Sequence, residues 1–226
     1  MNFLELCQRA QRECGVASQP TTVINQSGEH RRFVEWVQDA WVDIQAAHQD
    51  WEWLRQSVSF VTVDGQPTYT PAQCGITAGT FGLWARDSFR SYLTATGVNS
   101  EMRATYIGYE VWRQVYQMGA SRDTRGQPIH ISITPAKSIA LAPYPSAGYT
   151  ITGDYYTAPV SLAVDADTPL MPAHFHMAIV WKVCMSYGAY EAAPEVYQRG
   201  ELEFKKLMRR LERDRMPEMI LGAPLV

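Results

Sequence analysis

The chain changes its hydrophobic period twice, and this constrains its fold more than any single motif. Between Gly28 and His48, the residues Phe33, Trp36, Val37, Ala40, Trp41, Ile44, Ala47 and His48 return at steps of three and four, the spacing of one helix face. From about residue 55 to 160 the chain is rich in Thr, Tyr, Val, Gly and Pro, and its apolar residues come in short alternating runs. After Pro172 the helical period returns in Phe175, Ile179, Val183 and Tyr187. Beyond Pro194 it continues in Val196, Tyr197, Leu202, Phe204, Leu207, Met208 and Leu211. The two helical ends can pack on each other only if the middle is an insertion. The expected fold class is therefore α+β: a helical bundle built from N- and C-terminal helices with an inserted antiparallel β-rich domain. The expected division is 1–55 and 165–215 for the helical core, 56–164 for the insertion and 216–226 for an extended tail.

Within this frame, residues 2–14 read as a short helix with Phe3, Leu6, Cys7 and Ala10 on one face and Gly15 as its stop. The polar face of the long helix holds Glu35, Asp39, Asp43 and Gln45. Asp64-Gly65 is a hairpin signal between an alternating run at 57–62 and a return strand at 67–70. Further strands are expected at 88–94, 102–107, 129–133, 138–141 and 149–156. A short helix at 109–118 puts Val111, Trp112, Val115 and Tyr116 on one face, and 119–128 reads as a mobile loop. Pro172 is expected to open a helix to about Tyr190, and Pro194 another to about Asp214.

Composition narrows the function. With 46% hydrophobic residues and a net charge of -3, the chain is neither disordered nor a general nucleic-acid binder. Its 226 residues suffice for a proper core. The cysteines Cys7, Cys14, Cys74 and Cys184 match no zinc or redox spacing, and buried thiols in a reducing compartment are expected. The first residues lack a basic n-region, and the most apolar stretch, Met177 to Val183, is far short of the ~20 residues of a membrane span. The chain is expected to be soluble, made in a cytoplasm and free of membrane contact.

Enzyme motifs are missing in turn: no nucleophile elbow, dinucleotide fingerprint, phosphate loop or zincin helix. His174 and His176 are separated by one residue, which on a helix sends them to different faces where they do not grip one ion together, although on a strand they could. His30, His48 and His130 are isolated and read as structural. Asp165 and Asp167 beside Thr168-Pro169 read as turn and cap residues. Glu191/Glu195 and Glu201/Glu203 read as solvated helix faces. No catalytic residue, metal or cofactor is expected.

Two features remain. Residues 205–215 hold Lys205, Lys206, Arg209, Arg210, Arg213 and Arg215 against Glu212 and Asp214, a local +4 that leaves −7 for the rest of the chain. The i,i+4 relations make a cationic stripe, suited either to the helix C-terminal dipole or to an acidic partner or passing nucleic acid. The tail then runs Met216, Pro217, Met219, Ile220, Leu221, Pro224, Leu225 and Val226, apolar with no helical period. It either packs back on its own domain or inserts in a partner.

The run from Met171-Pro172 through Ala193-Pro194-Glu195-Val196 into the charged helix, with the N-terminal helix pair and the junction Asp50-Trp51-Glu52-Trp53, resembles the head-to-tail adaptor proteins of tailed bacteriophages, the tail-tubular-A-like group. The resemblance covers about 1–55 and 165–215; the middle matches only in character. It implies a structural virion protein of the neck, without catalysis, in a ring of usually twelve copies under the portal. It further implies that the ring extends the DNA channel over passing double-stranded DNA, offers a platform to the next neck or tail protein, and sends its C-terminal tails into the portal. A ring needs head-to-tail interfaces that close, and such interfaces favour aromatic and Arg-rich patches; 16 of the 20 basic residues here are Arg. The rival readings are a phage cell-wall glycosidase, a DNA-binding module using 205–215, and another neck protein such as a stopper or tail-completion protein.

Overall fold

The computed structural model describes residues 1–215; the expected tail, 216–226, lies outside the described residues. The chain divides into two compact units, one holding Met1–Leu54 and the chain from Pro159 onward, the other Arg55–Ala158. The fold is α+β, as the two changes of period require.

The helical unit is built from α1 (Phe3–Glu13), α2 (Gly28–Ala47), α4 (Met177–Tyr190) and α5 (Pro194–Arg215). The side chain of Asn2 accepts from Glu5 N at 2.8 Å, and the Glu5 carboxylate accepts from Asn2 N at 3.0 Å, a capping box that starts α1. Phe3, Leu6, Cys7 and Ala10 are fully buried, as their spacing predicts. α4 is apolar on nearly every side and packs against α1, α2 and α5. α5 approaches it closely. A Cβ on Gly188 would stand 2.7 Å from Tyr197 N, and one on Gly200 would stand 2.9 Å from Trp181 O. Only residues without a side chain allow that crossing.

Three expectations for this unit are corrected. Gln45, placed on the polar face, is buried: its amide donates to Val160 O at 3.0 Å and accepts from Val160 N at 3.1 Å. Residues 159–164 thereby travel with the helical unit, and Gln38 adds a bond to Leu162 O at 2.7 Å. Pro172 does not open α4 directly but precedes a 3₁₀ turn, Ala173–Phe175. Ala47, expected on the apolar stripe, is exposed, while Val34 is buried in the core.

The second unit holds two main sheets. In the first, β1 (Arg55–Val61) pairs antiparallel with β11 (Tyr149–Thr157), which pairs with β4 (Arg90–Leu93) along one half and β3 (Phe81–Trp84) along the other; β5 (Met102–Arg103) follows β4. In the second, β2 (Thr68–Tyr69), β9 (Ile139–Ala142), β8 (His130–Ile133) and β6 (Thr105–Tyr106) lie in that order. Both sheets feed one core, with Val58, Phe60, Trp84 and Ile151 from the first, Phe89 just before β4, and Tyr69, Ile131, Ile139 and Leu141 from the second. The pairing is antiparallel except for β6 with β8 and for a small ladder of β7 (Arg125–Gly126) with β10 (Tyr144–Pro145).

The Asp64-Gly65 turn forms, with Gly65 at φ +77 and Gln66 N donating to Val63 O at 3.1 Å. The hairpin does not. β1 goes to β11 and β2 goes to β9, because Pro67 at the head of the return strand has no N–H for a ladder and its carbonyl is taken by Leu141 N at 2.7 Å. The turn is a corner between sheets. The expected strand 102–107 likewise breaks at the buried Ala104, where the chain crosses from one sheet to the other. Residues 119–128, read as mobile, hold a 3₁₀ turn and β7, tied by Tyr144 N to Thr124 O at 3.1 Å and by Arg125 to Asp64 at 3.0 Å. On α3 (Tyr109–Tyr116) the expected single face splits. Trp112 is buried over Ala140 and Ala142, whereas Val111 and Val115 are 51% and 50% exposed, because the second sheet covers only one side of so short a helix.

Candidate functional site

The residues singled out by charge lie on α5, whose two faces have different tasks. Gly200, Met208 and Leu211 are buried, with Phe204 and Leu207 half-buried beside them. The opposite face carries Lys205, Lys206, Arg209, Arg210 and Arg213, all exposed, and begins with Leu202, which is 68% exposed. At 100° per residue these six positions fall within one broad stripe.

Their counter-ions are not shared evenly. Lys205 reaches Glu201 at 2.6 Å and Lys206 reaches Glu203 at 3.2 Å, both within the helix. Arg215 turns toward Glu52 at 3.7 Å and Asp214 at 3.2 Å. Glu212 faces His48 at 3.3 Å, and Asp214 also stands 4.0 Å from His174. Each acid of this segment therefore already has a basic neighbour. Arg209, Arg210 and Arg213 form no ion pair with any described residue. The local surplus of charge that the sequence places somewhere in 205–215 is concentrated on these three guanidinium groups. They sit in the last turns of the helix, where its dipole favours cations, so they stand there without a neutralising side chain.

The remaining candidates are structural. Asp165 accepts from Val23 N at 2.6 Å. Asp167 accepts from Ala163 N at 2.7 Å and Val164 N at 2.9 Å, and these two N–H groups hold its carboxyl below the usual range. The backbone carbonyls of Asp167 and Asp165 accept from Phe3 N at 2.7 Å and Leu4 N at 3.3 Å, satisfying donors at the start of α1. The turn bonds of Asp167 were legible as local chemistry, but the links to Phe3, Leu4 and Val23 were not, since those residues lie more than a hundred positions away. His174 and His176 diverge as their spacing predicts. His174 is exposed beside Phe175, whereas His176 is 1% exposed and lies between Met171 O, 3.0 Å from Nε2, and the Met1 amino group, 2.9 Å from Nδ1. Burial pushes the His176 pKa down. His30 contacts Gln11 at 2.9 Å and His130 contacts the Tyr116 hydroxyl at 2.8 Å. Among the described residues no group of three or more His, Cys, Asp or Glu is arranged to hold a metal ion.

A groove of about 930 Å³ on the strand-rich unit escaped the sequence reading. It runs along the solvent face of the first sheet, where Ser57, Ser59 and Thr152 lie among Arg90, Arg103 and Glu101. Arg90 and Arg103 stand directly opposite each other on β4 and β5. Like charges so placed repel, and among the described residues Glu101, 3.7 Å from Arg90, and Asp87, 4.0 Å from Arg103, offset them. The groove's closest carboxylate contact is Asp154 to Arg55 at 2.6 Å, so that acid is held as an ion-pair partner.

The exposed arginines of α5 suit contact with other macromolecules. The sequence pattern of the SU10 adaptor proteins matches residues 1–224. The chain belongs to the SU10 adaptor protein family. It is thus a phage adaptor, a structural component of a virion that works with other phage head and tail proteins, and the likeness to head-to-tail adaptors read from its helical ends holds at the level of family. Comparison with curated proteins finds no match. Among the described residues of this adaptor, no helix is long and apolar enough to cross a membrane.

Proposed function

We propose that this adaptor forms a ring of about twelve copies that binds the portal, links capsid to tail and extends the DNA channel. The observation that supports this reading is the outer face of α5. Three exposed arginines without a counter-ion among the described residues, the last of them Arg213, stand just before Met216, where the apolar tail begins. In this reading Met216, Pro217, Met219, Ile220, Leu221, Pro224, Leu225 and Val226 insert in the portal. Lys205, Lys206, Arg209, Arg210, Arg213 and Arg215 face either the portal's acidic surface or the phosphates of passing double-stranded DNA, without sequence preference. The division of labour follows the fold, with 1–55 and 165–215 forming the ring's scaffold and 56–164 an inserted domain beside the next neck or tail protein. No cofactor or catalysis is required.

The test is co-assembly with portal, read by electron microscopy and mass. A chain ending at Arg215 should fold and lose portal binding; a truncated chain that still joins portal rings removes the tail from the mechanism.

A further inference from the structure

We propose that Cys14 and Cys184 form a disulfide that staples the end of α1 to α4 once the protein leaves a reducing compartment. Their sulfurs lie 3.6 Å apart, and the Cys14 thiol donates to Cys184 Sγ. A disulfide needs about 2.05 Å between sulfurs, so closure asks for a movement of roughly 1.5 Å. The two positions differ in their freedom to make it. Cys184 is 1% exposed within α4. Cys14 is the C-cap of α1, followed by Gly15 at φ +79 with nothing within 4 Å of its Cβ position, so the backbone there has room to shift. Cys7 and Cys74 are also buried and free, with no sulfur–sulfur hydrogen bond among the described residues.

The thiols persist while the environment is reducing. The hydrogen bond to Cys184, and then burial, hold the Cys14 pKa far above the ordinary thiol range, so little thiolate forms until the last turn of α1 opens. Cys14, 8% exposed, reacts first. With a small disulfide such as oxidised glutathione as oxidant, Cys14 gives its proton to solvent and its thiolate attacks one glutathione sulfur. That breaks the glutathione S–S bond and releases one glutathione thiolate, which takes up a proton. Cys184, deprotonated in turn, attacks Cys14 Sγ, forms the protein disulfide and releases the second glutathione. Two protein thiols are oxidised by two electrons, and one glutathione disulfide becomes two thiols. The staple closes a loop spanning most of the chain, which strongly restricts the unfolded state. The chemistry is independent of the ring; only its occasion, release of a particle from the host cell, rests on the virion reading.

The full chain is incubated with excess oxidised glutathione at about pH 8, then examined by intact mass, peptide mapping and thermal unfolding. The expected result is a loss of about 2 Da, a linked Cys14–Cys184 peptide, no retained glutathione and a Tm at least about 5 °C higher, all reversed by dithiothreitol. Cys7→Ser should behave like the wild type, and Cys184→Ser should give no internal link and at most a glutathione adduct on Cys14. A stable adduct without a link in the wild-type chain, a link between other cysteines, or no reaction in denaturant just below the unfolding midpoint overturns the proposal.

Discussion

The helical unit mixes ion pairs within one helix with long-range ones such as Lys182–Asp43 and Arg199–Glu13, whereas the two tightest ion pairs of the strand-rich unit are both long-range. In the first, pairs such as Arg9–Glu13, Arg31–Glu35 and Lys205–Glu201 join residues four apart. In the second, Arg55 reaches Asp154 across 99 positions and Arg125 reaches Asp64 across 61. The same contrast holds for packing: α1 buries the stripe its own spacing announces, whereas β1 is completed by a strand that begins at Tyr149. Helical neighbours are set by local geometry, and sheet neighbours are set by where the chain returns. The charges on α5 stand out for this reason. Its local partners are counted out along the helix, and three arginines remain.

The contrast breaks if the helical unit does not depend on its own close packing. Gly200→Val drives a side chain into Trp181 O and Met185 N, and should cost about 3 kcal/mol in denaturant unfolding. Hydrogen exchange should show α4 and α5 losing protection first, ahead of Ile139–Ala142; equal loss everywhere removes the distinction between the units. Gln45→Ala sharpens a place where the helical unit relies on a distant backbone. It strips Val160 of both its bonds and should cost about 1–3 kcal/mol, with a smaller loss for Gln38→Ala, whose bond is single. The third and smallest effect concerns His176. Its folded pKa lies below the unfolded value near 6.5, so the folded state takes up its proton less readily than the unfolded chain. Stability from this residue is complete above about pH 6.5 and is lost as pH falls toward the folded pKa. Urea midpoints for His176→Gln should show a flatter slope as pH falls below about 6.5; an unchanged slope assigns it to other groups.

How much was legible follows the same lines. The four long helices and most strands could be read from period and turn residues, and the cationic stripe from i,i+4 spacing. The hairpin reading failed because Asp64-Gly65 specifies a turn, not the partner of the strand that leaves it, and Pro67 withholds a donor. Gln45 was misplaced because amphipathic pattern assigns a polar side chain to solvent, and only the returning Val160 backbone gives it a reason to be buried. The groove at Arg90 and Arg103 was invisible because β4 and β5 face each other through a register that no local pattern encodes.

The sequence by itself determined the α+β class, the inserted middle, the helix faces and the excess of positive charge before the tail, since each depends on spacing within one element. The tertiary structure decided which strands pair, which arginines keep no counter-ion among the described residues, and that Cys14 meets Cys184. Those facts depend on chain segments 60 to 170 residues apart coming together, as Asp64 and Arg125 or Cys14 and Cys184 do, and spacing along one element carries no information about that meeting.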